Sequence, residues 1–110
     1  MSAGPFPYEG PPELLPVLVA ALERVVDPEV ALNIVDVGLV YGARVKDGRL
    51  DVDVTMTSAA CPVTDVIIGD IENELDQDLP ADLKIHVELV WEPPWTPQRM
   101  SASAKRFMGW

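Results

Sequence analysis

The sequence predicts an α+β fold: one two-layer domain in the order α-β-β-α-β, with a small mixed sheet and a short C-terminal helix. Three observations carry this. Apolar residues recur at helical spacing in two separate stretches, and three other stretches alternate apolar and polar residues. The first two alternating stretches are joined by Asp47-Gly48, a dipeptide suited to a tight hairpin turn.

Taken in order, residues 1–13 are rich in Pro and Gly and read as a flexible arm, leaving 14–110 as a single domain. Leu14, Leu18, Leu22, Val25 and Val26 give a first helix over about 14–26. Pro16 suits its first turn, and Pro28 stops it, because the residue before a proline avoids helical dihedrals. "DPEVALNIVDVG" is too irregular for a helix and reads as a structured loop. Val37, Leu39, Tyr41, Ala43 and Val45 then alternate as one strand, and Leu50, Val52, Val54 and Met56 as the next.

The second helix is expected from Cys61 to Pro80, with Pro62 at its first position and a stripe of Val63, Val66, Ile67, Ile71 and Leu75. Ile85, Val87, Leu89 and Trp91 mark a third strand, which the helical crossover makes parallel to the second. "EPPWTP" is irregular, and Ser101 caps a short last helix.

Composition sets limits. A chain of 110 residues buries roughly two-thirds of its unfolded surface, enough for a modest core. The formal net charge of -10 excludes nucleic acid and anionic membranes as natural partners, because both are held by clustered Lys and Arg. There is no apolar run of spanning length, and the N-terminus does not read as a secretory signal. With a single cysteine and therefore no internal disulfide, the expected location is the cytoplasm.

That cysteine, Cys61, falls at or beside a helix N-cap. Unpartnered helical N–H groups and the helix dipole stabilise a thiolate there, which improves it as nucleophile or metal ligand. Thr57 and Ser58 add hydroxyl donors just upstream. The plainer reading, a small buried residue capping a helix, stays open. Asp27, Glu29 and Asp36 can add hard oxygen donors if their loop folds over Cys61, although Asp27 also reads as a turn residue and Asp36 as a loop cap.

One thiolate does not complete a structural zinc or iron–sulfur site. His86, the single histidine, lies on the strand face opposite Ile85 and Val87 and reads as a surface residue. No Ser-His-Asp order, Walker loop or GxGxxG is present. A thiol enzyme lacks a resolving cysteine and a convincing base, so the expectation is a non-enzyme. "VWEPPWTPQRM" sets Trp91, Trp95 and Arg99 in a stiff segment that fits either a partner surface or a rigid cover over one end of the core.

Three segments in order, "DPEVALNIVDVGLVY" (27–41), "VTMTSAACPV" (54–63) and "VELVWEPPWTPQRMS" (87–101), resemble the SufT/PaaD-like metal–sulfur cluster assembly family. The resemblance runs from about Leu14 to Gly109. The PaaD branch carries extra cysteines in a C-terminal extension that these residues lack, so the short SufT-like branch is implied. The resemblance also implies an iron–sulfur assembly-type fold, Cys61 as the reactive thiol and Glu29 as its companion acid.

Iron or an iron–sulfur cluster would then be held transiently, shared between chains and never permanently bound. The implied partners are iron–sulfur client proteins and other assembly proteins, with a homodimer as one way to complete the ligand set. Two alternatives accompany this reading: an adaptor that recruits clients through the EPPW loop without metal, and a PaaD-like accessory protein of an aromatic-degradation pathway.

Overall fold

The computed structural model describes residues 6–27, 31–56, 64–92 and 94–109. Its elements are β1 (Tyr8–Glu9), a 3-10 turn over Pro12–Leu14, α1 (Leu15–Glu23), β2 (Val26–Asp27), β3 (Leu32–Asn33), α2 (Ile34–Val37), β4 (Val40–Lys46), β5 (Arg49–Val54), α3 (Thr64–Asp78), β6 (Lys84–Leu89), a second 3-10 turn over Pro97–Arg99, and α4 (Ala102–Met108). The principal sheet runs β1-β4-β5-β6, and β2 and β3 form a separate small pair.

The mixed sheet follows from its connections. Asp47 (φ 55°) and Gly48 (φ 75°) adopt the left-handed conformations that a two-residue hairpin needs. They set β4 antiparallel to β5, with Lys46 opposite Arg49 and Arg44 opposite Asp51. The α3 crossover then returns the chain so that β6 runs parallel to β5, pairing Val52 with Val87.

Alternation places Leu50, Val52, Val54 and Met56 inside. Ile67, Ile71 and Leu75 of α3 and Leu18, Ala21 and Leu22 of α1 bury against them. Each of the Leu, Ile, Val and Met side chains contributes roughly 1.5–3 kcal/mol of apolar burial. Arg24 joins the end of α1 to α3, its Nε donating to Glu74 at 2.6 Å and its Nη2 to Asp78 at 2.5 Å. These two hydrogen bonds, that to Asp78 first, hold the guanidinium pKa above its ordinary value.

Several elements depart from the sequence reading. The first helix ends at Glu23 rather than 26: Val25 leaves it so that its carbonyl accepts from Ile34 N at 2.9 Å, and Val26 enters β2. The loop after it holds a two-residue strand pair and one helical turn. Val37 belongs to that turn, and β4 starts at Val40, with a register irregularity between Val40 and Gly42 that buries Val40 as well as Ala43.

Val66 is 56% exposed, because centring the α3 stripe on Ile67, Ile71 and Leu75 turns its predecessor about 100° away. Trp91 lies beyond the end of β6. The segment read as a loose arm is packed from Phe6 onward. Phe6 is buried, and Tyr8–Glu9 pairs in parallel with Ala43–Arg44.

Candidate functional site

Four backbone segments meet at one end of the domain. Ile34 N donates to Val25 O at 2.9 Å, Leu39 N to Ile34 O at 3.0 Å, and Thr55 N to Leu39 O at 2.8 Å. This ladder ties Val25, just before β2, to Thr55, just past β5; β2 leads to residues 28–30 and β5 to residues 57–63. Asp27 is 2% exposed, and its carbonyl accepts from Ala31 N at 2.8 Å. Glu29, Thr57, Ser58, Cys61 and Pro62 lie outside the described residues. Among the described residues, no group of three His, Cys, Asp or Glu could hold a metal ion.

Thr55 was not singled out by the sequence. Its side chain is 1% exposed, and its Oγ1 has no hydrogen-bond partner among the described residues. A buried hydroxyl in that state costs about 1–3 kcal/mol. Its only sequence signal is its place at the end of β5, two residues before Thr57.

Asp36 is engaged in the cap that Asn33 makes on α2. Asn33 Oδ1 accepts from Asp36 N at 2.9 Å while Asn33 Nδ2 donates to Asp36 Oδ2 at 2.8 Å, a reciprocal closure of the α2 N-terminus. Asp36 O also accepts from Ser101 N at 2.8 Å, and Ser101 Oγ in turn caps α4 by accepting from Ala104 N at 3.1 Å.

The C-terminal segment is bound to α2. Trp95 is partly buried against the core, and its indole N–H donates to Val37 O at 2.8 Å. Arg99 lies over the Tyr41 ring, its Cζ 4.5 Å from the centroid. Gly38 (φ 86°) passes so close to Arg99 that a Cβ there would sit 2.3 Å from the Arg99 carbonyl oxygen. Trp95 and Arg99 thus make internal contacts of the kind a rigid cover makes, while Trp91 is 41% exposed. His86 is exposed, on the charged face, with Nε2 3.0 Å from Glu88 Oε1.

Residues 17–88 match the family model described as "Iron-sulfur cluster assembly protein". The chain belongs to this family. It is 41% identical over 93 residues to the Fe-S protein maturation auxiliary factor YitW of Bacillus subtilis, covering 84% of this chain and 90% of that one. It is 42% identical over 86 residues to the Fe-S protein maturation auxiliary factor SufT of Staphylococcus aureus, covering 77% and 97%.

A crystal structure of a domain of unknown function, DUF59, from Bacillus anthracis superposes with a TM-score of 0.79 at 40% identity, over 84% of this chain and 88% of that one. The family match spans the Asp27 turn, the β4–β5 hairpin and the segment carrying Cys61. It ends before the segment bearing Trp91, Trp95 and Arg99.

Proposed function

We propose that this chain is an iron–sulfur protein maturation factor that helps deliver clusters to client proteins, with Cys61 as a transient ligand. The observation that carries the reading is the likeness to two proteins named as Fe-S maturation auxiliary factors, over 90% and 97% of their lengths. The chemistry is compatible with it. A thiolate is a soft donor suited to iron, and Glu29 and Asp27 would add hard oxygen donors from the neighbouring turn. Thr57, Ser58 and Pro62 would shape the loop and helix start around the sulfur.

A single thiolate leaves most iron–sulfur ligand positions unfilled. The cluster is therefore cargo, and a client, another assembly protein or a second copy supplies the remaining ligands. This is carrier rather than catalytic work, and we place it in the cytoplasm. Trp91 is the exposed tryptophan of the described part of the EPPW-bearing segment and would meet a client there, with Trp95 and Arg99 supporting the segment from beneath.

The test is anaerobic reconstitution with iron and sulfide, comparing wild type with Cys61→Ser by absorbance and metal content, alongside iron–sulfur enzyme activity in cells that depend on each version. Loss of bound iron and of client activity in Cys61→Ser, with an unchanged fold, supports the reading. Unchanged client activity in cells relying on Cys61→Ser defeats it. Client activity that falls with Trp91→Ala but not with Cys61→Ser would favour the metal-free adaptor.

A further inference from the structure

Among the described residues the last strand of the sheet has an unpaired edge, and its sequence is complementary to itself. In the sheet order β1-β4-β5-β6, β6 is terminal. Lys84 N donates to Gly48 O and Val90 N to Val54 O, so even-numbered residues aim their N–H groups at β5. By alternation, Ile85, Val87 and Leu89 turn their N–H and C=O groups to the open side.

The charges on this strand are poorly matched within the chain. Lys84 sits beside Arg49 on β5, and Glu88 sits beside Asp53, like charge against like in both cases. Arg49 is already paired with Asp51, and Asp53 with Arg44. Lys84 forms no ion pair among the described residues, although Glu72 and Asp76 border the same end of the strand. The ionic contact of Glu88 is His86, which is a cation only when protonated.

We infer that β6 pairs with β6 of a second copy of this chain, antiparallel about a two-fold axis at His86. In that register Lys84 of each copy lies opposite Glu88 of the other, so two ion pairs form per dimer. Ile85 lies opposite Val87, and Leu83 opposite Leu89, so the half-buried apolar row continues across the axis. Ile85 and Val87 are outward-facing residues, and so they make the hydrogen-bonded pair. His86 meets His86 as the non-hydrogen-bonded pair, where Cα atoms approach to about 4.5 Å. Such an interface is isologous, each patch being its own complement. It is a six-residue strand contact and therefore a weak, reversible one. The inference is independent of what Cys61 does.

Sedimentation velocity on the wild type over a concentration series tests this, with charge-swapped variants beside it. Wild type shows a concentration-dependent dimer. Lys84→Glu and Glu88→Lys each replace two attractive pairs by two repulsive ones and weaken association about tenfold. The double variant Lys84→Glu/Glu88→Lys recovers it. His86→Cys in a Cys61→Ser background forms an interchain disulfide on mild oxidation, because that register puts the two positions face to face. Circular dichroism confirms that each variant is folded. A wild type that stays monomeric up to about 1 mM, where even an association of about −4 kcal/mol would show, overturns the inference. So does a dimer indifferent to both charge reversals, or a His86→Cys protein that does not cross-link.

Discussion

The indole N–H of Trp95 donates to the backbone carbonyl of Val37 over 2.8 Å, joining residues 58 positions apart. With Ser101 N on Asp36 O at the other end, this fastens the C-terminal segment across the one-turn helix α2. A four-residue helix has little stability of its own. Its geometry is held by the Asn33–Asp36 cap on one side and this strap on the other.

Trp95→Phe keeps an aromatic ring but removes the donor, and should cost about 1–2 kcal/mol. Urea unfolding followed by far-UV circular dichroism measures it. Trp95→Ala loses the ring's packing as well and should cost more, with residues 94–109 becoming the first to exchange amide hydrogens. A Trp95→Phe protein as stable as wild type would show that the strap is held elsewhere.

Gly38→Ala should be severely destabilising. The residue has φ 86°, and its added Cβ would meet the Arg99 carbonyl at 2.3 Å. Backbone strain alone accounts for about 1 kcal/mol, and displacement of the strap adds to it. The expected outcome is a lower melting temperature together with faster proteolysis within 94–109. The control Gly48→Ala also has positive φ but meets nothing within 4 Å, so it should cost only the strain.

Much of this architecture was legible because it is local. Asp47-Gly48 announces the hairpin, Ser101 the last cap, and the 3.6-residue recurrence of Ile67, Ile71 and Leu75 the buried face of α3. The β2–β3 pair and the inward turn of Trp95 were not legible. They depend on carbonyls of Val25 and Val37 finding donors elsewhere in the chain, and spacing does not encode such pairings. At the candidate site, Asp27 is described and buried, whereas Cys61 and Glu29 lie outside the described residues. Thr55 was not legible, because a buried hydroxyl looks the same in sequence as a solvent-facing one on an alternating strand.

The docking of the N-terminal segment should fade at alkaline pH. Tyr8 OH donates to Pro11 O at 2.7 Å, and burial first, then the charge of Glu13, raises its pKa above the ordinary 10.0. The folded value exceeds the unfolded one. The stabilisation is therefore complete below pH about 10 and is lost as pH rises through the folded value. Tyr8→Phe should cost about 1 kcal/mol at neutral pH and remove part of the alkaline decline in melting temperature. An identical pH profile for the two proteins would show that Tyr8 does not contribute.

Thr55→Val separates stability from function at the candidate site. The two side chains have nearly the same shape, and the Thr55 hydroxyl is buried without a partner among the described residues. Replacing it by a methyl should stabilise the fold by about 1–2 kcal/mol, because an unsatisfied buried hydroxyl is removed and no cavity is left. If the hydroxyl is retained to serve the segment carrying Cys61, the stabilised variant should reconstitute less iron and support less client activity. Thr55→Ser, which keeps the hydroxyl but opens a small cavity, should then lose stability and keep function. Both quantities are read on the same preparations, by urea unfolding and by anaerobic iron content. A Thr55→Val protein that is more stable and fully functional would assign the hydroxyl no role in metal handling. One that is less stable would mean that Oγ1 has a hydrogen-bond partner beyond the described residues, and the buried group would then be a structural anchor.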